Sequence, residues 1–188
     1  MKSYDMIVYD WREIFLEPTV IGVGIAIKER ERLMGQISVK AEAVLEAPSE
    51  EVYATIADYR QGHPNMLPKE LYDLQVEQGG YGAGTIHRFK MRVLGVEQSY
   101  YQRVSEPEPG RVLVEQDIDS PQHVTTTFRV TPLEQGQKSH VEISTTMHTS
   151  PGLRGLVERI LVPMINPRIY QKELKLLEGV AQRRSTDV

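Results

Sequence analysis

The chain of 188 residues carries 22 Lys and Arg against 26 Asp and Glu, a formal net charge of −4, with 40% hydrophobic residues; these proportions suit one globular domain with a core of ordinary size. The cysteine count is zero, which excludes disulfides, thiolate nucleophiles and cysteine zinc sites, suits a reducing compartment and makes a cytoplasmic location the expectation. The acidic balance and scattered basic residues argue against nucleic acid as a partner, and the longest apolar run, Val20 to Ile27, is too short for membrane insertion.

Residues 1–36 read as an extension, with a short helix or strand around Met6 to Leu16, a break at Pro18 and a strand at Thr19 to Ile27. It would pack on the domain or on a second copy, so a homodimer is left open. Alternatively Met34 is the natural start, because a complete strand follows it at once. In that strand Ile37, Val39, Ala41, Ala43 and Leu45 alternate with polar residues, the period of a strand with one buried face.

Pro48 is expected in the first turn of a helix whose start is favoured by Ser49, Glu50 and Glu51 and whose inner side is Val52, Ile56 and Tyr59. It ends near Gly62 and His63. Strands are then expected at Leu71 to Gln78, Gly84 to Leu94, Glu97 to Ser105, Arg111 to Ile118, His123 to Leu133 and Ser139 to Thr149, separated by turn formers such as "GGYGAG", "LG" and "EPEPG". From Leu153 the apolar spacing is helical to Val180, with a kink or break predicted at Pro163 and Pro167. The domain is placed at residues 37–183 and a tail at residues 184–188.

This order, a strand, a helical pair, six strands and a long helix, gives an α+β domain. A seven-stranded antiparallel sheet needs cover for its apolar face, and only the C-terminal helix is long enough, so the sheet must curve around it. A pocket should remain between helix and sheet, closed at one end by the loop "HPNMLP". Met66 and Leu67 would act there as a lid stiffened by Pro64 and Pro68, with His63 at the pocket mouth or on the surface at the helix end.

Through "ISVKAEAVLEAPSEEVYATIADYRQGHPNMLP", "VEQGGYGAGTIHRFKMRV", "RVSEPEPGRVLVEQD" and "VTTTFRVTPLEQG", the chain from about Ile37 to Gln182 resembles the START-like helix-grip superfamily, in its polyketide cyclase/dehydrase-like branch called SRPBCC. The resemblance implies a helix-grip fold. For the aromatase/cyclases of that superfamily it also implies a pocket arginine and tyrosine that position a polyketone chain. Alignment puts Arg103 at the arginine and Tyr72 near the tyrosine. A guanidinium would suit enolate oxygens. The alternative is an outward Arg103 paired across strands with Glu115 or Asp117, worth about 0.2–1 kcal/mol.

Alternation in "TIHRFKMRV" turns His87, Phe89 and Met91 to the pocket, where His87 would serve as a hydrogen-bonding group or an acid or base, or else as a satisfied core histidine. Tyr101, Val114, Gln116, Thr126 and Phe128 from the later strands complete the expected wall, with Met147, Leu156, Ile160 and Met164. No metal or cofactor is expected: His123, His140 and His148 show no ligand spacing, and no nucleophile or phosphate-loop motif occurs. The leading functional expectation is binding of a hydrophobic small molecule, such as a lipid, quinone or polyketide-like compound. The alternatives are a cyclase/dehydratase using Arg103 with Tyr72 or His87, and a co-chaperone-like interaction module.

Overall fold

A computed structural model describes residues 35–186, and the expectations for residues 1–34 lie outside the described residues. In chain order the elements are β1 (Gln36–Leu45), α1 (Ser49–Ala57), α2 (Gly62–Met66), β2 (Leu71–Gln78), β3 (Ile86–Val93), β4 (Val96–Glu108), β5 (Val112–Asp117), β6 (Thr125–Leu133), β7 (Lys138–His148) and α3 (Leu153–Thr186). The strands form one sheet in the order β1-β7-β6-β5-β4-β3-β2, antiparallel at every step. The architecture is the expected curved sheet with a long C-terminal helix and a short helical pair after the first strand.

The C-terminal half of α3 presents Ile169, Tyr170, Leu174, Leu177 and Ala181 to the core, at the spacings of three and four that make one helix face. Among the residues that complete this core are Ile37, Val39 and Ala41 of β1, Val52 and Ile56 of α1, and Phe128, Val130, Val141 and Ile143 of β6 and β7. The helix runs on through Pro163 and Pro167 without the break that was one of the two expectations there, and residues 184–186, expected as a tail, form its last turn. The carbonyls freed by the two prolines belong to Arg159 and Pro163, both exposed, where water meets them.

A tight corner joins α1 to α2. Pro48 lies just before α1 instead of within it, and its carbonyl accepts from Val52 N at 3.0 Å. The Asp58 carboxylate accepts from the amides of Arg60 and Gln61, and Gly62 follows where any Cβ would stand 2.5 Å from the Thr55 carbonyl oxygen. The "GGYGAG" loop clamps this corner: Tyr59 N donates to Gly80 O at 3.0 Å and Gly82 N to Ala57 O at 2.9 Å. Gly82 sits at φ +55, a left-handed conformation that favours glycine, and a Cβ there would lie 2.4 Å from a Glu106 oxygen, whose side chain would have to move. The clamp aims Tyr59 and His63 at the sheet. Among the described residues no helix is long and apolar enough to cross a membrane.

Candidate functional site

Between α3 and the concave face of the sheet lies a narrow cavity of about 70 Å³, counted as the space open to the centres of water molecules. Its wall is mostly apolar: Leu67 after α2, Leu71 and Leu74 of β2, Phe89 and Met91 of β3, Val124, Phe128 and Met147, and Ile169 of α3. Leu71 and Leu74 are three apart and would face opposite sides of a regular strand. An irregularity between Tyr72 and Gln75, with Asp73 at φ 57, turns both inward.

The polar lining follows from one turn. Leu94 and Gly95, at φ 51 and 81, join β3 to β4 as a two-residue turn, so Val93 pairs with Val96, Phe89 with Tyr100 and His87 with Gln102. Residues opposite each other share a face, and Tyr100 and Gln102 therefore enter the cavity beside Phe89 and His87. The Phe89 and Tyr100 rings stack at 4.9 Å. In the next strand Val104 pairs with Glu115, which brings that carboxylate to the same face.

Glu115 is the centre of a buried polar cluster. Its Oε1 accepts from the Tyr59 hydroxyl at 2.6 Å and lies 3.6 Å from His63 Nε2 and 3.9 Å from His87 Nε2. The Nδ1 of His63 stands 2.8 Å from the Ile56 carbonyl, an acceptor only, so this nitrogen carries hydrogen and Nε2 points at Glu115. Burial pushes the His87 imidazolium below the ordinary histidine range, opposed by Glu115, so His87 is neutral at pH 7.

Across the cavity, Glu173 on α3 is 3% exposed and has no hydrogen-bond or ion-pair partner among the described residues. Desolvation first, and the Glu115 charge second, hold its carboxyl well above the usual carboxylate range. His87 and Gln102, opposite each other across β3 and β4, open onto the same wall, and the Gln102 amide favours the His87 imidazolium against the effect of burial. Nearby a hydroxyl chain runs from Thr126 to Thr145 at 2.8 Å and on to Tyr170 at 2.6 Å, and burial pushes the Tyr170 phenol up to about 12. Among the described residues no group of three or more His, Cys, Asp or Glu is placed to hold a metal ion; His123 and His148 meet edge to face at 5.8 Å without a third partner.

The sequence profile of the family described as "Polyketide cyclase / dehydrase and lipid transport" matches residues 36–182, the whole of this sheet and most of α3. The chain belongs to that family. Among solved structures, the KanY protein aligns at 27% identity with a TM-score of 0.67, over 79% of this chain and 99% of its own. The Zhui aromatase/cyclase from Streptomyces sp. R1128 aligns at 18% identity with a TM-score of 0.68, over 80% of this chain and 96% of its own. Norcoclaurine synthase from Thalictrum flavum, solved with dopamine and hydroxybenzaldehyde, aligns at 15% identity with a TM-score of 0.63, over 96% of this chain and 98% of its own. At these identities the last two likenesses speak for the fold alone. A comparison with curated proteins gave no match.

Within this polyketide cyclase/dehydrase and lipid transport fold, the residues expected at the pocket divide in two. His63, Leu67, His87, Phe89, Met91, Thr126, Phe128 and Met147 line the cavity. His63 is buried where a surface position was the alternative, because α2 folds it back onto the Ile56 carbonyl.

Arg103, Tyr101, Val114 and Gln116 face away from the cavity: Arg103 is exposed opposite Ile86 and Gln116 and makes no ion pair with Glu115 or Asp117. Tyr72 donates to Glu97 and lies under Arg92, and Tyr101 lies under Arg88 at 4.5 Å, both on the charged outer face with the Lys90–Asp73 and Arg88–Glu77 pairs. Tyr101, Val114 and Gln116 differ by a one-residue shift of strand parity, which exchanges the faces of a whole strand, while Arg103 and Tyr72, placed by alignment, lie on the outer faces of β4 and of the irregular β2. Met66 is fully buried in the core beside the cavity, while Leu156, Ile160 and Met164 are more than half exposed because the first half of α3 extends beyond the cavity wall.

Proposed function

We propose that this protein binds a small, largely apolar molecule with one polar head in the cavity between α3 and the sheet, a lipid-, quinone- or polyketide-like compound by class. The observation that carries this reading is a buried carboxyl without a hydrogen-bond or ion-pair partner among the described residues, Glu173, on a mostly apolar cavity wall. Buried polar groups in folded proteins are nearly always paired, so one left unpaired beside a cavity is a group kept for a partner from outside the chain. Apolar burial supplies the affinity, at about 25 cal/mol per Å², and Glu173 supplies orientation. Family membership supports the same reading, and the cysteine-free sequence goes with a cytoplasmic setting.

Binding of phenol, a single ring with one polar group, followed by isothermal titration calorimetry, tests it. Wild-type protein is expected to bind one phenol per chain, Phe89→Asp to lose it, and Arg103→Ala to bind like wild type because Arg103 lies outside the cavity. Wild-type protein that binds no phenol and shows no co-purified ligand in native mass spectrometry would count against a binding cavity.

A second reading, turnover of the bound molecule as in a cyclase or dehydratase, is favoured by the cluster of Glu115, His63, His87 and Tyr59 facing a proton-holding Glu173. This places a base and an acid on opposite sides of one apolar space, the arrangement that enolisation of a carbonyl compound needs. A β-keto thioester in deuterated buffer should then exchange its α-hydrogen faster with protein than without, and Glu115→Gln should lower that rate by about 10²–10⁴-fold. Equal exchange rates with and without protein would leave binding alone.

A further inference from the structure

The rings around the cavity narrow the ligand, on the assumption that the binding reading above holds. Aromatic residues make up 7% of the chain and only three are phenylalanines, yet two of those, Phe89 and Phe128, line the cavity together with Tyr100 and Tyr170. The imidazoles of His63 and His87 add two more flat rings to the same wall. On the sheet these rings are ordered. Phe89 stacks on Tyr100 with 12° between the planes and on His87 at 5.9 Å and 22°. Tyr59, fully buried, continues the stack at 4.6 Å from His87 and 4.4 Å from His63. Rings stacked in this way engage their faces with one another and leave their edges, the positive rim of the quadrupole, for whatever lies above the sheet. The thioethers of Met91 and Met147 border the same space.

We infer that the ligand carries a single aromatic ring, whose face lies across the edges of the Phe89, Tyr100 and His87 stack. An edge meeting a face is one of the preferred arrangements of two rings, and it contributes beyond the apolar area it buries. Thioether sulfur favours contact with a ring in the same way. The volume sets the number of rings: at about 10–15 Å³ of such space per water, the cavity of about 70 Å³ holds roughly five to seven waters, the bulk of one substituted six-membered ring. A straight alkyl chain of equal carbon count loses torsional freedom in so narrow a space and gains none of the ring contacts.

Phenol, cyclohexanol and hexan-1-ol each carry six carbons and one hydroxyl, and isothermal titration calorimetry on the full-length protein separates them. Phenol is expected to bind at least about threefold tighter than cyclohexanol, with hexan-1-ol weakest, the reverse of the order of their apolar areas. Phe89→Leu, which keeps an apolar side chain in the wall and removes its ring, should bring phenol and cyclohexanol to within about twofold of each other. The more acidic hydroxyl of phenol still meets Glu173 in that variant, so loss of the preference there reports the ring. Tyr100→Leu should narrow the gap in the same way and covers the case of a poorly folded Phe89 variant. Cyclohexanol or hexan-1-ol binding the wild type as tightly as phenol overturns the ring assignment and leaves the binding cavity standing, as does a phenol preference that survives both substitutions. Wild-type protein that binds none of the three overturns the binding reading itself, and the ring assignment with it.

Discussion

Replacing Phe128 with alanine is expected to cost about 3–5 kcal/mol of folding stability. Its ring is 2% exposed, pairs in register with Leu113 on one side and Ile143 on the other, and meets His63 edge to face at 5.9 Å. These neighbours sit in a continuous hydrogen-bonded sheet, so little of the vacated volume can be refilled by collapse. The loss adds to a cavity already present, which grows toward the core. Urea denaturation checks it: the midpoint should fall with the slope unchanged, since surface exposed on unfolding hardly alters. A loss below about 1 kcal/mol would mean that the sheet closes over the gap. The variant should also admit bulkier ligands than wild type.

Glu173→Leu is expected to move stability the other way, by about 1–4 kcal/mol at neutral pH, since an unpaired buried acid is exchanged for an apolar side chain of similar volume. The pH dependence identifies the cause. Because the folded-state carboxyl titrates well above its usual range, it retains a proton that the unfolded chain releases near pH 4. The native state thus binds more protons than the unfolded state in the window between the two, and stability falls as pH rises through it. Leucine has no such dependence. The advantage of the variant should therefore be small at about pH 4 and grow toward pH 8, measured by denaturation at both. A gain equal at both pH values, or a loss, would show that Glu173 does not hold its proton on folding. Placing a stabilising substitution at a cavity residue also predicts its cost, since ligand binding should weaken as stability rises.

Much of the fold was legible in the sequence because the sheet has one wet face. In β1 the alternation of Ile37, Val39 and Ala41 with exposed partners needs no neighbour to interpret. Helix α3 was legible for the apolar stripe of its C-terminal half and misread at its prolines, which do not break it, and at Leu156, Ile160 and Met164, which lie beyond the cavity. The cavity was half legible. His87, Phe89 and Met91 followed from alternation within one strand, whereas Tyr100, Gln102 and Glu115 required parity to be carried from strand to strand.

That step was available at the hairpin of β3 and β4. A two-residue "LG" turn sets His87 opposite Gln102 by counting, and puts Arg103 on the other face. Glu173 also left a trace: it lies within the helical stripe of Ile169, Leu174 and Leu177, where an acid is out of place unless its site is special. The paired inward positions of Leu71 and Leu74 left none, because nothing in "LYDL" announces an irregular strand. Nor did the burial of His63, which depends on the turn at Gly62 and on a loop clamped from a distant part of the chain.

The turn at Leu94 and Gly95 behaves like the start of a reading frame. Strand β4 takes its inside and outside from that count, so one inserted residue would translate β4 by a single step and offer Tyr101 and Arg103 to the ligand in place of Tyr100 and Gln102. A wall without Lys or Arg would gain a guanidinium with no side chain in it substituted. For anyone reshaping this scaffold, the length of a surface hairpin far from the ligand is the coarse selector of pocket chemistry, and point substitutions on the wall are the fine one.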